Sequence, residues 1–356
     1  MISRKCIYHT SDGFPDDICR IMLLEERIEA FDKLEQQLSS WEGTEKYETL
    51  KRQAQHKNNW FTSEHIDFSI TGIRKMITNA SLEQWVSKYQ LEHIEPKTVG
   101  IVMAGNIPLV GFHDLLSVLI SGHKVAVKMS SQDELLMGAV IQELLAMSPG
   151  MKEFIEIRAQ LKDIDAVIAT GSDNSSRYFE YYFSKIPNVI RKNRTSVAVI
   201  TGKETPAELD QLWSDIYLYF GMGCRNVSKL FIPKGFDLTQ IFRTWENKGD
   251  LANHHKYFNN YEYNKSIYLV NKVPHLDTGY GLWLEDEALV SPISVTYYST
   301  YESEQELANW FTENAEKIQC IVASDTLRYI PFGQAQYPEV WDYADGVDTL
   351  AFLERL

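Results

Sequence analysis

At about 150 residues per domain, a chain of 356 residues has material for two or three domains, which excludes a single small module. Its composition, 44% hydrophobic, 12% aromatic and 24% charged, is that of a folded globular protein and excludes intrinsic disorder. The 49 acidic residues outnumber the 35 basic ones, and a net charge of -14 excludes a general phosphate-backbone binder, so no nucleic-acid partner is expected and any anionic ligand must be held by local donors.

The first 95 residues carry amphipathic helical patterns at Ile18 to Leu38, Lys46 to Gln55, Ile66 to Ile77 and Leu82 to Tyr89, the last with capping-box spacing at Ser81 and Gln84. After Pro96 the organisation changes. Thr98 to Met103 reads as a buried strand, Phe112, Leu115, Leu116 and Leu119 mark a helix stopped by Gly122, and Lys124 to Lys128 is a second strand, together a βαβ unit. Alternation continues with a helix at Asp133 to Met147, a strand at Asp165 to Thr170, a helix after Ser172, a strand at Val197 to Ile200 and a helix through Leu209 to Phe220. Beyond Cys224 come a strand at Ser228 to Ile232, a helix near Leu238 to Trp245, β-rich segments at Ser266 to Val270 and Ile293 to Tyr298, a helix at Glu304 to Thr312 and the apolar run IQCIVAS.

The expected fold is therefore α/β. Residues 1–200 form N-terminal helices plus a nucleotide-binding unit, residues 201–325 a second α/β lobe, and residues 326–356 a turn-rich segment returning to the cleft or to an oligomer interface. The four cysteines, Cys6, Cys19, Cys224 and Cys320, show no CxxC pair and no Cys/His metal spacing, so neither a metal site nor a disulfide scaffold is expected and a reducing cytoplasm fits. The start MISRKCIYHTSDG lacks an apolar signal region and no run of 18 apolar residues follows, so no membrane span is expected.

Cys224, in FGMGCRNVSKLFI, lies in a turn between a helix and a strand, where Gly221 and Gly223 remove bulk beside the thiol; it reads as a nucleophile or as a small packing residue. Cys320, among Ile318, Ile321 and Val322, reads as core, and Cys6 and Cys19 receive no role. Asn106, beyond the carboxyl end of the first strand, is an amide donor for an oxyanion or a turn residue. Lys128 with Ser130 and Ser131, and the turn Thr170, Gly171, Ser172 before a helix, can hold ribose or phosphate, although neither GxGxxG nor a P-loop is present. His113 is a candidate acid or base, His254 and His255 sit in a loop-like polar stretch, and the basic run Arg191, Lys192, Arg194 reads as a solvated approach to a strand. The aromatic runs at Tyr178 to Phe183 and Lys256 to Tyr263 read as packing or as a tunnel lining.

Taken in order, GNIPLVGFHDLLSVLISGHKVAVKMSS, the TGS turn, GMGCRNVSKLFIPKG and PFGQAQYPEVWDYADGVDTLAFL resemble the LuxC-type acyl-CoA reductases of the aldehyde dehydrogenase superfamily, from about Lys97 onward. The resemblance implies an aldehyde dehydrogenase-like fold with a Rossmann-like cofactor lobe and a catalytic lobe. It also implies Cys224 as acyl-accepting nucleophile, Asn106 and the Cys224 amide as oxyanion donors, Lys128 on the cofactor ribose, and Gly171 and Ser172 at its pyrophosphate. Many aldehyde dehydrogenases carry a glutamate three residues after that lysine; Ser131 stands here, which favours NADPH over NADH. The general base of hydrolytic members, inside ELGGK, aligns with VAVITGKE, where Ile200 and Thr201 replace it. The resemblance thus implies reduction of a fatty acyl-CoA or acyl-protein thioester to an aldehyde, a homo-oligomer, and an acyl-protein synthetase or transferase as partner. Oxidation of an aldehyde to the free acid and non-redox acyl carriage are the alternatives.

Overall fold

The computed structural model describes residues 22–324 and 328–356, so Cys6, Cys19, the start of the first predicted helix and the 325/326 boundary lie outside the described residues. Helices α1 (Leu24–Ser39), α2 (Glu45–Lys57), α3 (Ser63–Met76) and α4 (Asn79–Val86) come first. They pack on one core with the following α/β unit through Phe31, Leu34, Ile66, Ile70 and Trp85. α4 begins three residues before the predicted capping box, because the Thr78 hydroxyl accepts from the Ser81 amide.

Strands β1 (Thr98–Val102), β2 (Lys124–Lys128), β3 (Ile155–Ile157), β4 (Ala166–Thr170) and β5 (Asn188–Arg191) alternate with α5 (Phe112–Ser121), α6 (Glu134–Met147) and α7 (Asp173–Phe183). They form a parallel sheet in the order β3-β2-β1-β4-β5. The strand order reverses between β1 and β4, and open α/β sheets bind ligands at the carboxyl ends flanking such a switch point.

The second sheet holds β6 (Thr195–Val199), β7 (Val227–Pro233), β8 (Leu276–Asp277), β9 (Leu282–Glu285), β10 (Val295–Tyr301) and β11 (Ile318–Ala323), in the order β11-β6-β7-β10-β9-β8. Only β8 and β9 pair antiparallel. Helices α8 (Pro206–Tyr217), α9 (Thr239–Thr244), α10 (His255–Val270) and α11 (Glu304–Asn314) accompany this sheet, and α12 (Thr349–Glu354) packs back on α5. Because β6 pairs with β7 and β11, the passage between sheets falls between Arg191 and Thr195, earlier than the expected division at 200/201.

The segment expected to be loop followed by strand is α10. His254 caps it, and its buried positions Tyr257, Tyr261 and Asn264 recur at i, i+4 and i+7. Helical periodicity is carried here by polar residues that bond Tyr280, Asp277 and Ile293, so a pattern of aliphatic residues does not reveal it.

Residues 328–356 cross from one sheet to the other. The Asp215 carboxylate on α8 accepts from the Gly333 and Ala335 amides (2.6 and 3.0 Å), the Tyr343 hydroxyl accepts from Trp85 Nε1 (2.7 Å), and Thr349 accepts from Arg191 (2.9 Å).

Candidate active site

The loop after β1 brings Asn106 to the switch point. Its bend at Leu109 has φ 57°, and buried Asp133 holds it by accepting the Leu109 amide at 2.8 Å. The Ser69 hydroxyl of α3 donates to the Pro108 carbonyl at 3.0 Å. A non-glycine residue in the left-handed region carries strain that its surroundings must offset.

The turn between α8 and β7 is strained likewise. Tyr219 and Phe220, with φ 54° and 57°, precede Gly221. The Tyr219 amide donates to His65 Nε2 at 3.2 Å, and its hydroxyl lies 2.9 Å from the Ser69 hydroxyl. Buried Asn226 closes the turn: its carbonyl accepts the Gly223 amide at 2.8 Å and its amide reaches the Leu218 carbonyl at 2.8 Å. A Cβ on Gly223 would lie 2.9 Å from Asn226 Oδ1, so glycine is required for that close approach. Cys224 follows, fixed by a bond from Ser196 Oγ to its carbonyl at 3.0 Å.

The Cys224 side chain is exposed to the cleft, while Cys320 is buried, as its apolar flanks imply. Protein crowds Cys224 on its other sides. Desolvation pushes the thiol pKa up, with Arg225 and then Arg191 pulling it down and Asp345 adding to the rise.

Two cavities meet at this residue. The larger, about 640 Å³, is lined by Asn106, Thr170, Gly171, Ser172 and Cys224 together with Arg191 to Arg194 and Asp345. The smaller, about 190 Å³, is lined by Cys224, His113, Tyr219, Tyr337 and mainly apolar side chains of α3 and the Asn106 loop. Asn106 Nδ2 donates to the Met222 carbonyl at 2.8 Å, which orients the amide beside Cys224 and uses one of its two N–H groups.

Each carboxylate lining these cavities is engaged. Asp114 pairs with buried Arg191, and Asp345 lies 3.4 Å from the Arg194 guanidinium, its pKa raised by burial. Glu339 pairs with Lys75, and Asp342 accepts the Glu339 amide.

Of the residues singled out from sequence, Cys224, Asn106, Thr170, Gly171 and Ser172 converge on the larger cavity. Lys128 and Ser131 are exposed and Ser130 is half-buried at the end of β2, and none of the three lines either cavity. His113 lines the smaller cavity with its Nε2 bonded to the Val340 carbonyl at 2.8 Å; burial lowers its pKa. His254 caps α10, bonds the Asn59 carbonyl and stacks on Phe220, whereas His255 is exposed.

Ile200 and Thr201 line neither cavity, so the departure at ELGGK does not map onto the cleft through them. Arg191, at the end of β5, is not a solvated residue either. It is 5% exposed and lines both cavities. His65, Ser69 and Asn226, which hold the Cys224 turn, lack any motif; the one signal available was the polar spacing of His65 and Ser69 on the apolar face of α3.

No family model and no curated protein sequence matches this chain. Solved structures do match. A Mycobacterium tuberculosis aldehyde dehydrogenase complexed with NAD+ superposes with TM-score 0.63 at 13% identity over 94% of this chain and 84% of its own. The fold is that of the aldehyde dehydrogenases. An indole-3-acetaldehyde dehydrogenase of P. syringae matches with TM-score 0.62 at 14% identity, and the NAD+ complex of a Bacillus cereus aldehyde dehydrogenase with TM-score 0.59 at 15%, each over 85% of this chain and 72% of the other. Among the described residues no helix is long and apolar enough to cross a membrane, and no cluster of His, Cys, Asp and Glu is arranged to hold a metal ion.

Proposed function

We propose that the protein reduces an acyl-CoA or acyl-protein thioester to an aldehyde with NADPH through an acyl-Cys224 intermediate, as the likeness to LuxC-type reductases implies. One observation carries this reading: an exposed thiol stands where two cavities meet, beside an oriented amide, with every carboxylate of the lining engaged. A cysteine acyl-enzyme without a carboxylate positioned to activate water is suited to reduction or transfer rather than hydrolysis.

The larger cavity fits the cofactor. It lies at the switch point, its volume falls within the range of small-molecule sites, and Gly171 lets the turn before α7 pack so closely that a Cβ there would lie 2.8 Å from Phe179. Thr170 to Ser172 and Arg194 would hold its phosphates, and Lys128 with Ser130 and Ser131, outside the lining at the end of β2, would meet the adenosine end if it extends beyond the cavity.

The Cys224 thiolate attacks the thioester carbonyl; the second N–H of Asn106 and the Cys224 amide receive the oxyanion. The bond to the CoA sulfur breaks, CoA leaves as thiolate and takes a proton from solvent, and the acyl group remains on Cys224. Bound NADPH supplies the hydride for the reduction of this acyl group. The resulting thiohemiacetal alkoxide re-forms its C=O bond as the C–S bond breaks, and aldehyde leaves as the Cys224 thiolate is restored.

Intact mass after mixing with an acyl-CoA tests the reading: the mass rises by the acyl group without NADPH and returns to that of the free protein when NADPH is added. Absence of the adduct, or NADPH oxidation undiminished in Cys224→Ala, overturns it.

A further inference from the structure

The smaller cavity sharpens the substrate, and the inference rests on the reductase reading. At one end of this cavity lies Cys224, shared with the larger one. At the solvent end lie Lys75 and Glu339, ion-paired at 3.0 Å with side chains 52% and 40% exposed. The rest of the lining is mainly apolar, with Ile73, Met76, Pro108 and Phe112, and also includes Arg225 and Asp342. An apolar passage leading to a nucleophile and spanned by charge at its outer end suits a chain with one reactive end and an apolar body of limited length.

We propose that this passage receives the acyl chain, and that its volume and the Lys75–Glu339 pair restrict the enzyme to medium chains. At interior packing density a methylene occupies about 27 Å³, so the passage holds about six to eight carbons. A chain of about fourteen carbons needs roughly twice that space and must break the ion pair to emerge.

Gly72 offers a way to shorten the passage without disturbing the fold. It lies within α3 and lines the cavity, and a Cβ built on it meets nothing within 4 Å. Gly72→Leu therefore projects into the passage while improving helix propensity.

Alkyl methanethiosulfonates from methyl to dodecyl probe the passage without the reductase chemistry. The Cys224 thiolate attacks the sulfenyl sulfur, forms a mixed disulfide carrying the alkyl chain and releases methanesulfinate. Adduct formation is followed by peptide mass at Cys224 in the full chain. The rate is expected to rise about threefold to fourfold per added methylene up to six to eight carbons and then to level or fall. Gly72→Leu should move the break two or three carbons shorter, and Lys75→Ala should move it longer, with circular dichroism confirming that each variant is folded.

A rate that climbs steadily to dodecyl, or a break at the same length in all three proteins, overturns the proposal. The same length series of acyl-CoAs with NADPH separates the two readings. A break with the thiosulfonates but no reduction of any acyl-CoA upholds the passage and sinks the reductase; reduction without a break does the reverse.

Discussion

His65 offers a test of how the Cys224 turn is held. Its side chain is buried on α3 and its Nε2 accepts the Tyr219 amide, one of the bonds that sustain the two left-handed residues before Gly221. Desolvation holds its pKa at about 4, below the ordinary 6.5. Protonation would replace the acceptor with a cation facing an N–H group. Because the folded pKa lies below the unfolded one, the neutral ring contributes its full stability above pH 6.5, and that share is lost as pH falls through 4. At 1.36 kcal/mol for each tenfold change, the full contribution is about 3.4 kcal/mol, of which about 2 kcal/mol is gone by pH 5. Urea midpoints at pH 7.5 and 5.0 measure it, with His65→Gln as a neutral acceptor at both. All other groups titrate alike in the two proteins, so the wild type should lose about 2 kcal/mol more than the variant. Equal losses would refute the assignment of this acid sensitivity to His65 and the role of its ring in holding the turn.

Asp133 should behave with the opposite sign. Burial raises its pKa to about 8 from 3.8, so its contribution is complete below 3.8 and lost as pH rises through 8; between pH 6 and 9 the wild type should lose about 2 to 3 kcal/mol more stability than Asp133→Asn, again by urea midpoints. Asn106→Ala should lower the rate of thioester reduction by about 10² to 10³, the usual cost of one oxyanion donor, with KM little changed in steady-state assays. Because burial raises the Cys224 pKa while Arg225 opposes the rise, iodoacetamide labelling of Cys224 should still accelerate through pH 9, and Arg225→Met should shift the profile further alkaline.

The βαβ order, the helix after Ser172 and the turn carrying Cys224 were legible because aliphatic periodicity and glycine placement encode them locally. Strand-end logic placed Asn106 beyond β1, but its convergence with Cys224, which lies before β7, was given only by the family resemblance. The environment of Arg191 was not legible. A basic run has the composition of a surface, and only the packing of α5 and α12 against β5 supplies Asp114 and Thr349 to bury that guanidinium. The strand expected at Val197 to Ile200 in VAVITGKE is present as β6, Thr195–Val199. Strands of both sheets are rich in Val, Ile and Thr, and pairing alone shows that β5 belongs to the first sheet while β6 runs in the second. The part of the N-terminal helices was hidden because their partners are distant in sequence: His65 bonds the Tyr219 amide 154 residues away, and Ser69 the Pro108 carbonyl 39 residues away.

The crossing of residues 328–356 between the two sheets bears on when the protein becomes reactive. A growing polypeptide has Cys224 and its turn in hand while over a hundred residues are still to be made, and domains form in the order of synthesis. The clasp from Gly333 to Thr349 follows that turn in the chain, and it adds ties to α8, α4 and β5 through Asp215, Trp85 and Arg191 beyond the direct bonds of Asn106 to Met222 and of His65 to Tyr219. Until that clasp emerges, the amide of Asn106 and the thiol belong to halves that this segment has yet to fasten together.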